Sequence, residues 1–317
     1  MKKLIITSFA YKKGYRSGVS YNSNCDKYLQ YCFISLLSFK NNNPECDVAL
    51  VTNIELPEKH QKRFDREGIR IITKEFTEFT FSKDYTWSLA FYKICALKHV
   101  VDTMDYDEYL IVDSDTYCIN NLDDMWQDAK DSLMLYNLNH SLSVKQSQTM
   151  NREYYELFGE DDVRMVNYGG EYVCGHRELL KKYLLDCEAV YRAMQEKDFS
   201  TKHGDEFIWC STAHRYNYRI KAANAYIFRF WTSWQFYLVT TSFVFNPISI
   251  LHLPSEKRFG FLYVYRYYER KKRLPANKRL FKMMSLPSHS PKRNFYFLKR
   301  NFMIIKERLS NKIRKNK

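Results

Sequence analysis

The chain has 317 residues, 45% of them hydrophobic and 17% aromatic, with a formal net charge of +14. That apolar content excludes wholesale disorder and suits one large domain with an appendage. Residues 257–317 hold twenty lysines and arginines against Glu269 and Glu307, so the first 256 residues carry 30 basic against 34 acidic side chains.

At the N-terminus, Leu4-Ile5-Ile6-Thr7-Ser8 reads as a first strand, its apolar stretch too short for a signal peptide. Tyr28 to Phe39 has helical spacing and is broken by Asn41-Asn42-Asn43-Pro44, after which Val48–Thr52 and Ile69–Ile72 read as strands. Asp84 is expected to cap a helix running to about Val101, with Trp87, Phe91, Ile94 and Leu97 on its apolar face. The apolar run Tyr109–Val112 then ends in Asp113-Ser114-Asp115, and Asn120–Trp126 reads as a turn feeding a short helix. A small-residue segment, Asn167-Tyr168-Gly169-Gly170, precedes a helix over Arg177–Met194, and Ile248–Leu251 is a late strand ending at His252. From Phe295 onward Leu298, Phe302, Ile305, Leu309 and Ile313 recur at helical steps among lysines and arginines.

Strands alternating with helices imply an α/β fold with a mostly parallel, Rossmann-like sheet. The acidic body is expected to span residues 1–256, and the basic, aromatic tail residues 257–317. Eight scattered cysteines without a CxxC pair read as buried thiols in a reducing, cytoplasmic compartment. No apolar stretch is long enough to span a bilayer. The tail helix instead suits the surface of an anionic membrane, with Tyr263, Tyr265, Tyr267 and Tyr268 extending its patch. A charged helix packed back on the body is the competing reading, and a nucleic-acid partner is not expected.

Chemistry concentrates at Asp113-Ser114-Asp115. A buried strand delivers these carboxylates to the edge where open α/β sheets bind ligands, and residues two apart on extended backbone point the same way, toward one hard cation. Caps and turns also use Asp and Ser, so the triplet gains its meaning from what accompanies it. Walker-type and dinucleotide glycine patterns, a hydrolase serine elbow and a closed zinc site are all absent from the sequence.

The order Tyr92-Lys93, Asp113-Ser114-Asp115, Asn120–Met125, Asn167-Tyr168-Gly169-Gly170, Gly204-Asp205-Glu206 and His252 with Lys257-Arg258 resembles GT-A glycosyltransferases, in particular the glycogenin and bacterial lipopolysaccharide galactosyltransferase family. The resemblance covers roughly residues 1–260. It implies a metal held by Asp113, Asp115 and His252, Mn²⁺ with Mg²⁺ as the alternative. It implies donor contacts from Thr7, Ser8, Tyr11, Lys93, Ser114, Asn167, Gly169 and Gly170, and from Lys257 or Arg258 on the diphosphate. Arg258 is the match in register and Lys257 the match in chemistry.

Asp205 falls where the family contacts donor-sugar hydroxyls, and Glu206 where it usually carries Gln. A carboxylate there can attack the anomeric carbon or stabilise an oxocarbenium-like transition state. Asp205 is also a candidate helix cap. The expected activity is transfer of a hexose from UDP-galactose or UDP-glucose to a glycan or lipid-linked acceptor, with retention, in surface polysaccharide synthesis at the inner face of a bacterial membrane. Two alternatives stay open: an inverting enzyme with Asp205 or Glu206 as base, and a non-catalytic metal-binding protein tethered by its tail.

Overall fold

Side-chain alternation along buried strands builds the core. Leu4 and Ile6 of the first strand join one apolar cluster while Ile5 and Phe9 join another. Opposite faces of one sheet require this division, and helices must cover both. The computed structural model describes residues 1–15, 25–142, 144–160, 164–230, 248–286, 298–299 and 302–306.

In chain order the elements are β1 (Lys3–Phe9), α1 (Cys25–Asn42), β2 (Asp47–Thr52), α2 (Glu58–Arg66), β3 (Arg70–Thr73), α3 (Tyr92–Thr103), β4 (Glu108–Val112), β5 (Thr116–Cys118) and α4 (Asp123–Ala129). There follow β6 (Leu133–Asn137), α5 (Val144–Phe158), β7 (Tyr168–His176), α6 (Arg177–Glu196), α7 (Asp205–Arg215), β8 (Ile220–Ala222), β9 (Ile227–Arg229), β10 (Ile250–His252), α8 (Gly260–Lys271) and α9 (Asn277–Met283).

Seven strands form one sheet in the order β3-β2-β1-β4-β7-β6-β8. Neighbours among β3, β2, β1 and β4 are parallel, as are β6 and β8, whereas β7 runs antiparallel to both β4 and β6. Residues of α1, α4, α8 and α9 cover one face, and residues of α3, α5, α6 and α7 the other. The fold is thus α/β with a mostly parallel sheet between helical layers, compatible with a Rossmann-like architecture. A small second sheet, β5-β10-β9, pairs β10 antiparallel to β5 and parallel to β9. Among the described residues no helix is long and apolar enough to cross a membrane. Seven of the eight cysteines are buried, Cys25 being only partly covered, and all eight are free thiols.

Three local expectations need correction. The helix expected from Asp84 begins at Tyr92 instead, because residues 82–91 fold as successive short turns. The amides of Tyr85, Ser88 and Ala90 donate to the carbonyls of Ser82, Tyr85 and Trp87. Aromatic packing of Phe81 and Tyr85 against Phe91 holds that path over the helical one.

The small-residue segment Asn167–Gly170 does precede α6, and from Tyr168 it forms the start of β7. Asp205 is the first residue of α7 rather than its cap, a position Gly204 takes at φ 60°. Asp113-Ser114-Asp115 is not extended, since the Thr116 amide and hydroxyl both donate to the Asp113 carbonyl and close a turn.

The boundary expected at 256/257 falls inside the packed fold. Phe261, Val264 and Tyr268 of α8 and Leu280 and Met283 of α9 are core residues. Tyr265 packs against Phe33 and under the Arg63 guanidinium, and Arg63 pairs with Glu269 at 2.9 Å. Tyr265 and Tyr268 therefore serve packing, not an outer patch. Of the expected tail helix, residues 298–299 and 302–306 are helical, while Phe295, Leu309 and Ile313 lie outside the described residues.

Candidate active site

Two sheets meet at the acidic triplet. β4 delivers Asp113, whose amide donates to the Glu171 carbonyl on β7. β5 begins immediately after Asp115, and its Thr116 is the register partner of His252 on β10. The Leu253 amide donates to the Asp115 carbonyl at 2.9 Å, so the turn is pinned on both sides by backbone.

One ligand atom each from Asp113, Asp115 and His252 lies within 4.8 Å of the others. His252 Nε2 is 3.4 Å from Asp115 Oδ1 and 3.8 Å from Asp113 Oδ2. The remaining oxygens are taken by lysines: Lys93 Nζ is 2.6 Å from Asp113 Oδ1, and Lys257 Nζ 3.0 Å from Asp115 Oδ2. Asp115, only 1% exposed, keeps Oδ1 without a hydrogen bond. A buried carboxylate oxygen in that state costs desolvation energy unless a ligand meets it.

Behind His252, its Nδ1 lies 3.0 Å from Glu171 Oε1. A carboxylate there holds the Nδ1 proton and fixes the ring so that Nε2 faces the aspartates, free to meet a cation once its own proton is displaced. Glu171 is itself gripped in bidentate fashion by Arg229, Nε at 2.7 Å and Nη2 at 2.6 Å, and the same Nη2 donates to Glu206 Oε1 at 3.1 Å. On the other side Lys93 also lies 3.2 Å from Asp205 Oδ2 and donates to the Gly170 carbonyl at 2.5 Å. Trp209 Nε1 donates to the same Asp205 oxygen at 3.2 Å.

Glycines make this packing sterically feasible. A Cβ on Gly170 would come within 2.3 Å of Asp205 Oδ2, and one on Gly169 within 1.9 Å of Glu171 Oε2.

Five carboxylates (Asp113, Asp115, Glu171, Asp205, Glu206) thus share three permanent cations (Lys93, Arg229, Lys257). With His252 neutral and all five carboxylates ionised the deficit is two charges, which a divalent cation would offset, and two carboxylates with one imidazole suit a hard to borderline ion. Titration follows the same balance. Burial opposes charge on Asp115, yet Lys257 and His252 hold its carboxyl well below the usual range. Burial also disfavours the imidazolium of His252, but Asp115 and Glu171 push it up to about 9, so a cation reaching Nε2 must displace a proton. Burial pushes the Glu206 carboxyl up to about 7 against the pull of Arg229. Burial likewise raises the Asp205 carboxyl against Lys93.

A cleft of about 540 Å³ runs over these groups. Of the residues expected on the donor, Ser8, Tyr11, Lys93, Asp113, Ser114, Gly170 and Lys257 line it, as do Asp205 and Glu206. Thr7 does not: it is fully buried, and its hydroxyl donates to the Val112 carbonyl at 2.8 Å. Asn167 is also buried, its amide nitrogen spent on Asn139 and Ser147, and it lies off the cleft with Gly169. Between the two basic candidates the geometry distinguishes clearly. Lys257 lies on Asp115 at the cleft wall, while Arg258 is not among the residues lining the cleft.

Glu171 and Arg229 escaped sequence reasoning. The available signal was a single charge inside an otherwise apolar strand, Glu171 ahead of Tyr172-Val173-Cys174 and Arg229 after Ile227-Phe228, since such charges persist only when paired. Comparison with models of known protein families and with curated proteins returns no match.

Proposed function

We propose that the protein is a metal-dependent glycosyltransferase of GT-A fold. It moves a hexose from a nucleotide sugar, UDP-galactose or UDP-glucose, to a glycan or lipid-linked acceptor of a bacterial surface polysaccharide, with retention. The observation that carries this reading is the convergence of Asp113, Asp115 and His252 with two lysines at a strand-end cleft, beside the acid pair that opens α7.

Asp113, Asp115 and His252 would hold Mn²⁺ or Mg²⁺, which as a Lewis acid offsets the charge of a departing diphosphate. Lys257 adds a fixed positive charge on the same side. Lys93 and Trp209 orient the Asp205 carboxylate toward donor hydroxyls, and both engage its Oδ2. Glu206, less tightly held, presents its carboxylate to the anomeric carbon as the bond to the diphosphate breaks with its electron pair leaving on oxygen. The acceptor hydroxyl, giving its proton to the departed diphosphate, then displaces Glu206 from that carbon, and the two inversions amount to retention.

Thermal unfolding with and without Mn²⁺ tests the reading. A hundredfold excess of the right donor over its dissociation constant stabilises by about 2.7 kcal/mol, or roughly 5 °C for a chain of this size. UDP-galactose or UDP-glucose should give that shift only with the metal. If no nucleotide sugar moves the midpoint, the reading is wrong.

The same proposal puts the enzyme peripherally on the cytoplasmic face of the cell membrane. Leu298, Phe302, Met303 and Ile305 are exposed on helical residues that also carry Lys299 and Lys306. Apolar side chains flanked by cations suit an anionic headgroup layer. Removing residues 298–317, whose described members include no core residue, should spare the melting temperature and abolish salt-sensitive flotation with phosphatidylglycerol vesicles. Equal flotation of the shortened protein would end the membrane assignment.

A further inference from the structure

One wall of the cleft belongs to no metal or diphosphate chemistry. Trp87, Leu89, Lys202 and His203 line it beyond Asp205. Trp87 is 37% exposed, an unusual state for an indole that no helix face or core cluster claims. Its inner side rests on Gly204, where an added Cβ would lie 3.3 Å from the Trp87 Cγ. Gly204 alone allows that approach, at φ 60° and with no side chain of its own.

The wall is braced from behind. The Tyr85 hydroxyl donates to the Thr201 carbonyl, tying the turn that carries Trp87 to the loop before α7. Glu153 of α5 accepts from the Thr201 hydroxyl at 2.5 Å and from the Lys202 amide at 3.1 Å. A flat aromatic surface is thereby held rigid beside the Asp205-Glu206 pair, which limits the ordering cost of binding.

Position along the sheet assigns the wall its partner. At the opposite end, Tyr11 exchanges hydrogen bonds with Asn53, just past β2. The aspartates follow β4, and Asp205, next to Gly204, lies over Gly170 near the start of β7. A donor lying from β1 across the aspartates would end at Asp205 and Glu206, and Trp87, set against the adjoining Gly204, lines the cleft on that side.

We propose that Trp87, backed by Gly204, is the stacking platform of an acceptor subsite that takes a pyranose ring. This rests on the transferase reading for the word acceptor, but sugar binding by the wall can be measured without it. The C–H face of a pyranose is apolar and lies flat on an indole, while its hydroxyls reach neighbouring polar groups at the rim.

The test uses methyl glucoside, methyl galactoside and methyl N-acetylglucosaminide as probes, with protein saturated in UDP and Mn²⁺. Saturation-transfer NMR should show at least one of them bound through one ring face. Trp87→Ala should weaken that probe roughly tenfold, and Trp87→Phe should restore most of the loss. Calorimetry of UDP binding reports the donor end separately, and unchanged melting temperatures confirm both variants as folded.

The proposal is overturned if no probe binds, if Trp87→Ala binds the probe as well as the parent, or if UDP affinity falls as far as probe affinity, which would give the indole to the donor. A protein that binds pyranosides through Trp87 but no nucleotide sugar would keep this site and reject the transferase reading.

Discussion

Asp115→Asn should lower sugar-nucleotide turnover by about 10²–10³, the usual cost of removing one preorganised charge from a transition state. Asparagine keeps the shape and one acceptor oxygen, so the effect isolates charge. Alanine would confuse the result, because Lys257 and His252 both lean on this buried carboxylate, and stranding a buried charge costs about 3–5 kcal/mol. Calorimetry of Mn²⁺ in the presence of UDP should show the matching loss of affinity. Wild-type turnover and Mn²⁺ affinity in the variant would remove Asp115 from the metal site.

Glu206→Gln should separate activity from stability in opposite directions. Burial pushes the Glu206 carboxyl up to about 7, so the folded protein holds its proton more tightly than the unfolded chain. Stability from this group is complete below the ordinary glutamate value and is lost as pH rises through about 7. Turnover runs the other way, since only the carboxylate can meet developing positive charge, and it should rise through the same window. Gln removes both dependences: the variant should melt higher than the parent at pH 8, with its alkaline loss of stability gone, and turn over roughly 10²–10⁴ more slowly. Arg229 keeps its bidentate hold on Glu171 in the variant, so the surrounding ion pairs survive. A flat pH profile in the parent, or full activity in Glu206→Gln, would falsify the role given to this carboxylate.

What could be read from the sequence was local. Apolar runs with fixed alternation gave β1, β2 and β4 within a residue or two, and Asp113, Asp115, Lys93, Asp205 and His252 stand beside recognisable strand or helix ends. Their mutual proximity rested on a resemblance, because pairing across the sheet leaves no trace in one chain. Glu171 and Arg229 show the limit: they meet 58 positions apart, and neither belongs to a motif. Residues 82–91 failed for another reason. Helical spacing was present at Trp87 and Phe91, but ring packing and the Tyr85 bond to Thr201 favoured turns, a tertiary effect that outweighs propensity. In the basic segment after 257, Tyr265 and Tyr268, two of the four tyrosines expected to extend the membrane patch, instead pack on Phe33 of α1.

The small sheet also bears on how the protein is made. The main sheet is complete by β8 at Ala222, but His252 arrives only with β10, a three-residue strand whose register sets it opposite Thr116. The aspartates can therefore meet their imidazole only after every strand of the main sheet has been synthesised, and a one-residue slip in that short ladder would turn His252 to the wrong face. The cluster that could hold a metal ion thus draws its last member from a ladder of only three residue pairs.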